Sequence, residues 1–178
     1  GSPIGATPPP FIVLGAKLHL RRGEQRREIK LEDYFLAYGK QDRQPGEFVE
    51  SVTLPLLPAG EKFATYKISK RREEDISTLC GAFRVFVNDA GVVGMARIAF
   101  GGMAATPKRA KAVEAGLTGR PWTMETIEAV APAFAEDYQP ISDMRASAEY
   151  RLLAAQNLLK RFFLETSGQG ERLQREVA

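Results

Sequence analysis

The feature that most constrains the fold is a change of hydrophobic period at the glycine pair Gly101-Gly102. Before this pair, apolar and polar residues alternate with the two-residue period of a β-strand. After it, apolar residues recur at the spacing of a helix face. Strands that come first and helices that follow are typical of an antiparallel sheet with helices packed on one face. The sequence therefore predicts an α+β fold.

The predicted strands form two groups on either side of a connector at residues 56–60, where Pro55 and Pro58 interrupt the pattern. The first group contains a β-hairpin and one further strand, at 16–21, 27–31 and 48–54. The second group is a three-stranded antiparallel sheet, at 63–69, 78–87 and 92–100. We expect a boundary at the connector, which gives the units 1–57 and 61–168 and a polar tail at 169–178.

Three helices are predicted to pack on the second sheet. They are expected at 107–117 with Thr106 as N-cap, at 123–138 with a kink at Pro132, and within 143–165. Residues 1–10 contain four prolines and two glycines. Because proline removes a backbone donor and glycine permits tight turns, we expect no regular structure there.

Composition excludes several classes of function. The net charge of +3 comes from interspersed basic and acidic residues, which does not favour a nucleic-acid partner. No apolar run approaches the ~20 residues that span a membrane, and no signal peptide is evident. A single cysteine, Cys80, and a single histidine, His19, exclude an internal disulfide and a cysteine or histidine metal cluster. We therefore expect a cytoplasmic protein with no catalytic residue and no metal ligand of its own.

The candidate site is the charged junction at 66–76, where four cations and then three anions lie between two predicted strands. Charged side chains are costly to bury unless paired, so the junction is either a solvated hairpin end or the edge of a site. Two other candidates have simpler interpretations. Cys80 follows an apolar pattern and is read as a buried small residue rather than a reactive thiol. Arg145 and Arg151, near Ser147, are read as parts of a packing and capping device.

The sequence resembles the flavin domain of xanthine dehydrogenase, most closely the bacterial small subunit, over residues 1–168. The segments that carry the resemblance are 1–5, 38–40, 45–47, 66–71, 75–76, 99–104 and 142–151. The resemblance implies that residues 1–57 are the end of an FAD-binding subdomain and that 61–168 are similar to the C-terminal domain of CO dehydrogenase flavoproteins. It also implies an upstream segment, with the iron–sulfur domain and the other half of the FAD site, outside this chain.

The resemblance assigns roles to individual residues. Lys67 matches the lysine that contacts the flavin ring, and Val49 matches an apolar position against that ring. Ala6 stands where the family usually has an aspartate that helps to hold the flavin. The residues that match the nicotinamide approach of NAD-using members are Tyr38, Glu74 and Ile76, with Glu74 at a position where aspartate is commoner.

The implied function is that of one component of xanthine dehydrogenase. Electrons from hypoxanthine or xanthine, oxidised to urate at a molybdopterin site in a large subunit, would pass through 2Fe-2S clusters to FAD and then to NAD. The implied assembly is a hetero-oligomer. Two alternatives stay open: a flavin component of a CO dehydrogenase or aldehyde oxidase type of enzyme, and a non-catalytic interaction module that kept the fold.

Overall fold

The structure of the chain is a computed structural model that describes residues 2, 4–71 and 75–168. Among these residues the strands are Lys17–Arg22 (β1), Gln25–Lys30 (β2), Phe35–Ala37 (β3), Lys40–Gln41 (β4), Phe48–Thr53 (β5), Glu61–Ile68 (β6), Leu79–Val87 (β7), Val93–Gly101 (β8) and Lys108–Arg109 (β9). The helices are Pro8–Leu14 (α1), Leu31–Tyr34 (α2), Lys111–Leu117 (α3), Met124–Val130 (α4), Phe134–Asp137 (α5) and Ala148–Thr166 (α6). The predicted α+β class is confirmed, and the predicted tail at 169–178 lies outside the described residues.

The first sheet has the antiparallel order β2-β1-β5. The predicted hairpin of β1 and β2 is confirmed, with Leu18 opposite Ile29. On β1, Leu18 and Leu20 are buried while Lys17 is exposed, as the alternating pattern predicts. β5 pairs with the other side of β1 through a bulge between Val49 and Ser51, and all six of its residues are exposed.

The second sheet has the antiparallel order β6-β7-β8-β9. Its first three strands were predicted, and Gly91 forms the expected turn between β7 and β8 with a φ of 75°. The fourth strand was not predicted, and the prediction that a helix begins at residue 107 was wrong. Lys108 pairs with Phe100 and Arg109 pairs with Ala99 instead, so that α3 begins at Lys111. The pattern could not show this pairing because β9 is too short to display a period.

The expectation that residues 1–10 have no regular structure was wrong. Pro8, Pro9 and Pro10 form the first turn of α1, and the helix ends at Gly15 with a φ of 79°. The first residues of a helix have no intrahelical partner for their N–H groups, so proline there removes no hydrogen bond. A proline run that reads as irregular is therefore compatible with a helix start.

The helices that follow the second sheet carry the predicted apolar faces. The single helix expected at 123–138 is divided into α4 and α5 by a 3₁₀ turn around Pro132. The long helix is confirmed as α6, which begins after Ser147, whose hydroxyl accepts a hydrogen bond from the amide of Tyr150. The ring of Phe162 on α6 stacks on Phe83 of β7 with centroids 5.2 Å apart, which places the main core between α6 and the sheet.

Helix α1 packs on the other face of the second sheet and links it to the first sheet. Ala82 of β7 and Ala99 of β8 belong to the buried cluster around α1, because their small side chains leave room for the helix. Two arginines of the sheet bond the C-terminal end of α1: Arg97 Nε donates to the carbonyl of Val13 at 3.0 Å, and Arg84 Nη1 contacts the same oxygen at 3.4 Å. These cations satisfy carbonyls that a helix end leaves without partners.

Within the described part of the chain, none of the helices combines the length and the apolar character that a membrane span requires.

Candidate functional site

Lys67 lines a cavity of about 280 Å³ between the end of β6 and the loop that precedes α1. Three of the residues singled out in the sequence meet here, since Ala6 and Ile76 line the same cavity, which we call the Lys67 cavity. The remaining lining residues are Ser2, Ile4, Gly5, Asp75 and Ser77. The cavity therefore combines one cation, one acidic residue, the loop before α1 and a short apolar wall.

Asp75 fixes the position of Lys67. The ammonium Nζ of Lys67 donates to the backbone carbonyl of Asp75 at 2.6 Å. The carboxylate of Asp75 accepts from the amides of Arg71 at 3.0 Å and Ile76 at 2.9 Å. These backbone hydrogen bonds, that of Arg71 first, hold the pKa of Asp75 below its usual value. Lys67 is thus held at the cavity by a backbone carbonyl, without an ion pair to a carboxylate within the described residues.

Cys80 lies beneath the Lys67 cavity. It is the strand partner of Lys67 in β7, its side chain is fully buried, and its Sγ is 3.7 Å from the carbonyl of Ala6. Burial raises the pKa of the thiol to about 11, against an opposite effect of the Lys67 charge. The interpretation of Cys80 as a buried apolar residue is confirmed.

We expect Cys80 to be inert in the folded chain at neutral pH, because it is covered and held in the thiol form. Its reaction with a coloured disulfide reagent should be at least ~100-fold slower than in the same chain unfolded in urea. The rates are measured by stopped-flow absorbance, with Cys80→Ser as the blank. Equal rates in the folded and unfolded chain would contradict the buried placement.

A second, larger cavity of about 480 Å³ contains Val49. Its walls are mainly apolar and come from α1, β1, α2 and β5, with Phe11, Leu18 and Phe48 among the lining side chains. Val49 is 40% exposed, so its side chain is accessible from the cavity. We call this the Val49 cavity.

Gly5 lines both cavities and marks where they adjoin. Its amide donates to the carbonyl of Ser2 at 3.1 Å and closes a tight turn. A Cβ atom at this position would lie 3.2 Å from that same carbonyl oxygen and 3.4 Å from the ring of Pro8. A side chain at Gly5 would therefore crowd the turn and fill part of the space that the two cavities share.

An ion-pair cluster holds the loop that leads to β5 beside the Val49 cavity. Arg27 on β2 donates to Glu47 at 2.8 Å and to Asp42 at 3.0 Å, and the amide of Gln44 donates to Glu47 at 2.7 Å. The hydrogen bonds from Arg27 and then from Gln44 lower the pKa of Glu47 to about 2. Glu47 is therefore ionised at every physiological pH, and it fixes the chain directly before Phe48.

The structure does not bring all of the predicted residues together. Tyr38 follows β3 with 78% of its side chain exposed, and it lines neither of the two cavities as far as the described residues extend. Glu74 lies outside the described residues. The sequence reasoning missed the walls of the Val49 cavity, although Leu31, Tyr34 and Phe35 at helical spacing were a usable signal.

Two family models match the chain and together cover most of it. The model of the CO dehydrogenase flavoprotein C-terminal domain matches residues 64–166, and that of the FAD binding domain in molybdopterin dehydrogenase matches residues 1–57. The two matches place the chain among flavoprotein domains. The chain belongs to the CO dehydrogenase flavoprotein C-terminal domain family and carries FAD-binding domain sequence before it.

The relatives are components of oxidoreductases. The chain is 31% identical over 164 residues to the nicotinate dehydrogenase FAD-subunit of Eubacterium barkeri, covering 90% of this chain and 55% of that protein. It is 30% identical over 173 residues to the xanthine dehydrogenase of Emericella nidulans, covering 96% of this chain and 13% of that protein. A carbon monoxide dehydrogenase structure from Hydrogenophaga pseudoflava matches with a TM-score of 0.86 and 27% identity, over 96% of this chain and 59% of that chain. The chain thus spans little more than half of the two shorter relatives.

The residues of the two cavities fit an FAD ring. A flavin presents two flat apolar faces and an edge of polar atoms, and it takes up negative charge on reduction. The Val49 cavity supplies apolar side chains, the Lys67 cavity supplies a cation, and Gly5 lines both without a side chain. This donor set suits a planar, electron-accepting ring.

Proposed function

We propose that the chain forms one wall of the FAD site of a xanthine dehydrogenase type of molybdenum hydroxylase, which passes electrons from iron–sulfur clusters through FAD to NAD. The observation that carries the proposal is the placement of Lys67 beside Ala6 and Ile76, next to the apolar Val49 cavity. A bound FAD supplies hydride and electron transfer that no side chain of this chain can perform.

Each side chain has a distinct part in the proposal. The fixed ammonium of Lys67 stabilises negative charge that develops beside it, since a preorganised charge costs no rearrangement when it acts. Val49 and its apolar neighbours exclude water from one face of the ring. Ile76, 49% exposed in the lining of the Lys67 cavity, is proposed to contact a nicotinamide that approaches the other face. Tyr38 and Glu74 are proposed at this approach by resemblance.

The partners follow from the same resemblance. An upstream iron–sulfur and FAD-binding segment is proposed to close the open side of the two cavities, and a large subunit is proposed to carry molybdopterin. The relative from Eubacterium barkeri is described as an FAD-subunit, which supports a hetero-oligomer. A CO dehydrogenase or aldehyde oxidase type of enzyme is the alternative, and the fold match to carbon monoxide dehydrogenase favours it as strongly.

Ala6 supports a different alternative, a non-catalytic module. Its side chain can neither donate nor accept a hydrogen bond, and its backbone carbonyl already accepts from Cys80. If the aspartate that the family usually carries here is needed to hold FAD, the chain keeps the fold without the cofactor.

FAD titration tests the proposal. The chain alone is expected to bind FAD weakly and to purify without colour, because the cavities wall the ring on one side only. The same chain joined to its upstream segment should hold about one FAD, measured by flavin absorbance and fluorescence quenching. Stoichiometric FAD on the chain alone would contradict the shared site. Absence of FAD from the joined protein, with recovery in Ala6→Asp, would instead favour the non-catalytic module.

A further inference from the structure

A third cavity, of about 490 Å³, lies between α2, β9 and α3, and it shares no lining residue with the Lys67 and Val49 cavities. We call it the basic cavity because four of its lining residues carry positive charge. These are Lys30, Lys108, Arg109 and Lys111. Its volume lies in the range of small-molecule sites. Neither the sequence patterns nor the flavin resemblance gives it a role.

Two of the three acidic groups in the basic cavity are already engaged. Glu32 accepts from Arg97 at 3.4 Å and from Arg109 at 3.2 Å. Asp137 is buried, and its carboxylate accepts from the amides of Ala112 and Val113 at the start of α3. Glu32 is thus paired with two cations, whereas the carboxylate of Asp137 is satisfied by amides alone, so Asp33 and Asp137 remain as the acids that oppose the lysines of this lining.

The three lysines of the basic cavity are not engaged in this way. Within the described residues, Lys30, Lys108 and Lys111 form no ion pair, and each side chain is exposed. The ammonium of Lys108 lies 5.6 Å from the centre of the Tyr138 ring, and the hydroxyl of Tyr138 donates to the carbonyl of Lys108 at 2.8 Å. The backbone that carries Lys108 is therefore fixed, while its charge remains available to a ligand.

Arg109 differs from the lysines because its guanidinium is fully committed. It bonds Glu114 through Nε at 2.9 Å and Nη2 at 2.6 Å, and Glu32 through Nη1 at 3.2 Å. Arg109 is thus held by two carboxylates, and within the described residues the charge of the lining that has no ion-pair partner comes from three lysines opposed by Asp33 and Asp137. An ammonium is a compact charge that suits phosphate oxygens.

We propose that the basic cavity binds a small diphosphate-bearing anion. The lysines give the lining a small excess of positive charge that favours an anionic ligand, and the volume admits a molecule rather than a single ion. Three lysines that converge from β2, β9 and α3 can contact several oxygens of one diphosphate group. The inference stands apart from the proposed FAD site, since the two cavities assigned to FAD contain none of these lysines.

Calorimetric titration of the full chain with inorganic pyrophosphate at low ionic strength tests the proposal, and a parallel titration with ADP distinguishes a free diphosphate from a nucleotide. Saturable binding of one equivalent is expected, with amide NMR shifts centred on Lys108 and Lys111. The double variant Lys108→Gln, Lys111→Gln should weaken binding by about tenfold or more, as expected for the loss of two charge contacts. Added salt should weaken binding further.

Lys40→Gln is the matched control, because Lys40 is an exposed lysine outside the basic cavity and forms no ion pair within the described residues. It should leave the affinity unchanged. Circular dichroism confirms that the double variant stays folded. Equal losses in control and double variant, or shifts away from the cavity, would mean non-specific charge attraction and overturn the proposal. Binding of an acidic peptide without binding of pyrophosphate would also overturn it, in favour of a protein-docking surface.

Discussion

Replacing Lys67 with methionine in the assembled enzyme is expected to slow the reduction of NAD by about 100-fold, the typical cost of removing one preorganised electrostatic contact. Methionine keeps most of the side-chain length and removes the charge. The side chain of Lys67 is exposed and donates a hydrogen bond to the carbonyl of Asp75, so the fold should tolerate the change. The rate of NAD reduction should therefore fall, while the free energy of unfolding should stay unchanged.

The measurement separates electron entry from electron exit. NAD reduction is followed with the molybdenum-site substrate, and the same enzyme is assayed with an artificial acceptor that takes electrons before FAD. The second rate should be nearly unchanged in Lys67→Met. Lys67→Arg keeps the charge and should retain much of the NAD activity. Lys160→Met, on the outer part of α6 where Lys160 pairs with Glu128, is the control and should match the parent.

The potential of the bound FAD gives a readout that a purely structural effect would leave alone. Loss of a cation beside the ring disfavours the more negative reduced state, so the midpoint potential of Lys67→Met should fall relative to the parent. An equal loss of both rates, or an unchanged potential with full NAD activity, would contradict the proposed placement of Lys67 beside the flavin ring.

Local periodicity was sufficient to predict most of the secondary structure. The strands β1, β2, β5, β6, β7 and β8 and the helix α6 were predicted from their periodic patterns, although all residues of β5 are exposed. Ser147 and Thr123 were correctly taken as helix starts, since a hydroxyl that accepts from an amide three residues later is a local device. These features depend on neighbours in the sequence.

The features that the sequence did not predict depend on distant partners. β9 is two residues long and exists because β8 offers an open edge to Arg109 and Arg109 is bonded to Glu114 and Glu32. Helix α1 exists because Arg84 and Arg97, about 70 to 85 residues further along the chain, bond its last carbonyls. The boundary at residues 56–60 stays a prediction.

The candidate site was reached through resemblance rather than pattern. Lys67, Ala6 and Ile76 share one cavity, whereas the charge run alone favoured a solvated hairpin end. The hydrogen bond from Lys67 to the carbonyl of Asp75 has no sequence signature, because backbone carbonyls are present at every position. Tyr38, expected at the same approach, lies outside both cavities among the described residues.

Replacing Arg151 with methionine is expected to destabilise the fold by about 3–5 kcal/mol, the usual cost of breaking a buried charged network. Arg151 is 2% exposed on the first turn of α6. Its Nη1 donates to the carbonyls of Thr78 and Gly102, and its Nη2 donates to Asp143 at 2.7 Å. It therefore bonds the start of β7, the end of β8 and the loop before α6. Methionine would leave two buried carbonyls and one carboxylate without this partner.

Urea unfolding at neutral pH, monitored by circular dichroism, measures the loss of unfolding free energy. In a thermal melt, the melting temperature of this 178-residue chain should fall by about 10 °C. Arg145→Met is the matched control. Arg145 lies with Asp143 on the loop before α6, its side chain is 26% exposed, and it approaches Asp143 only at 3.9 Å. It should cost less than about 1 kcal/mol. Arg151→Lys should fall between the two, because one ammonium cannot reach three partners in the fork geometry of a guanidinium. Equal stability of Arg151→Met and Arg145→Met would show that the buried network contributes nothing and that α6 is held by its apolar face alone.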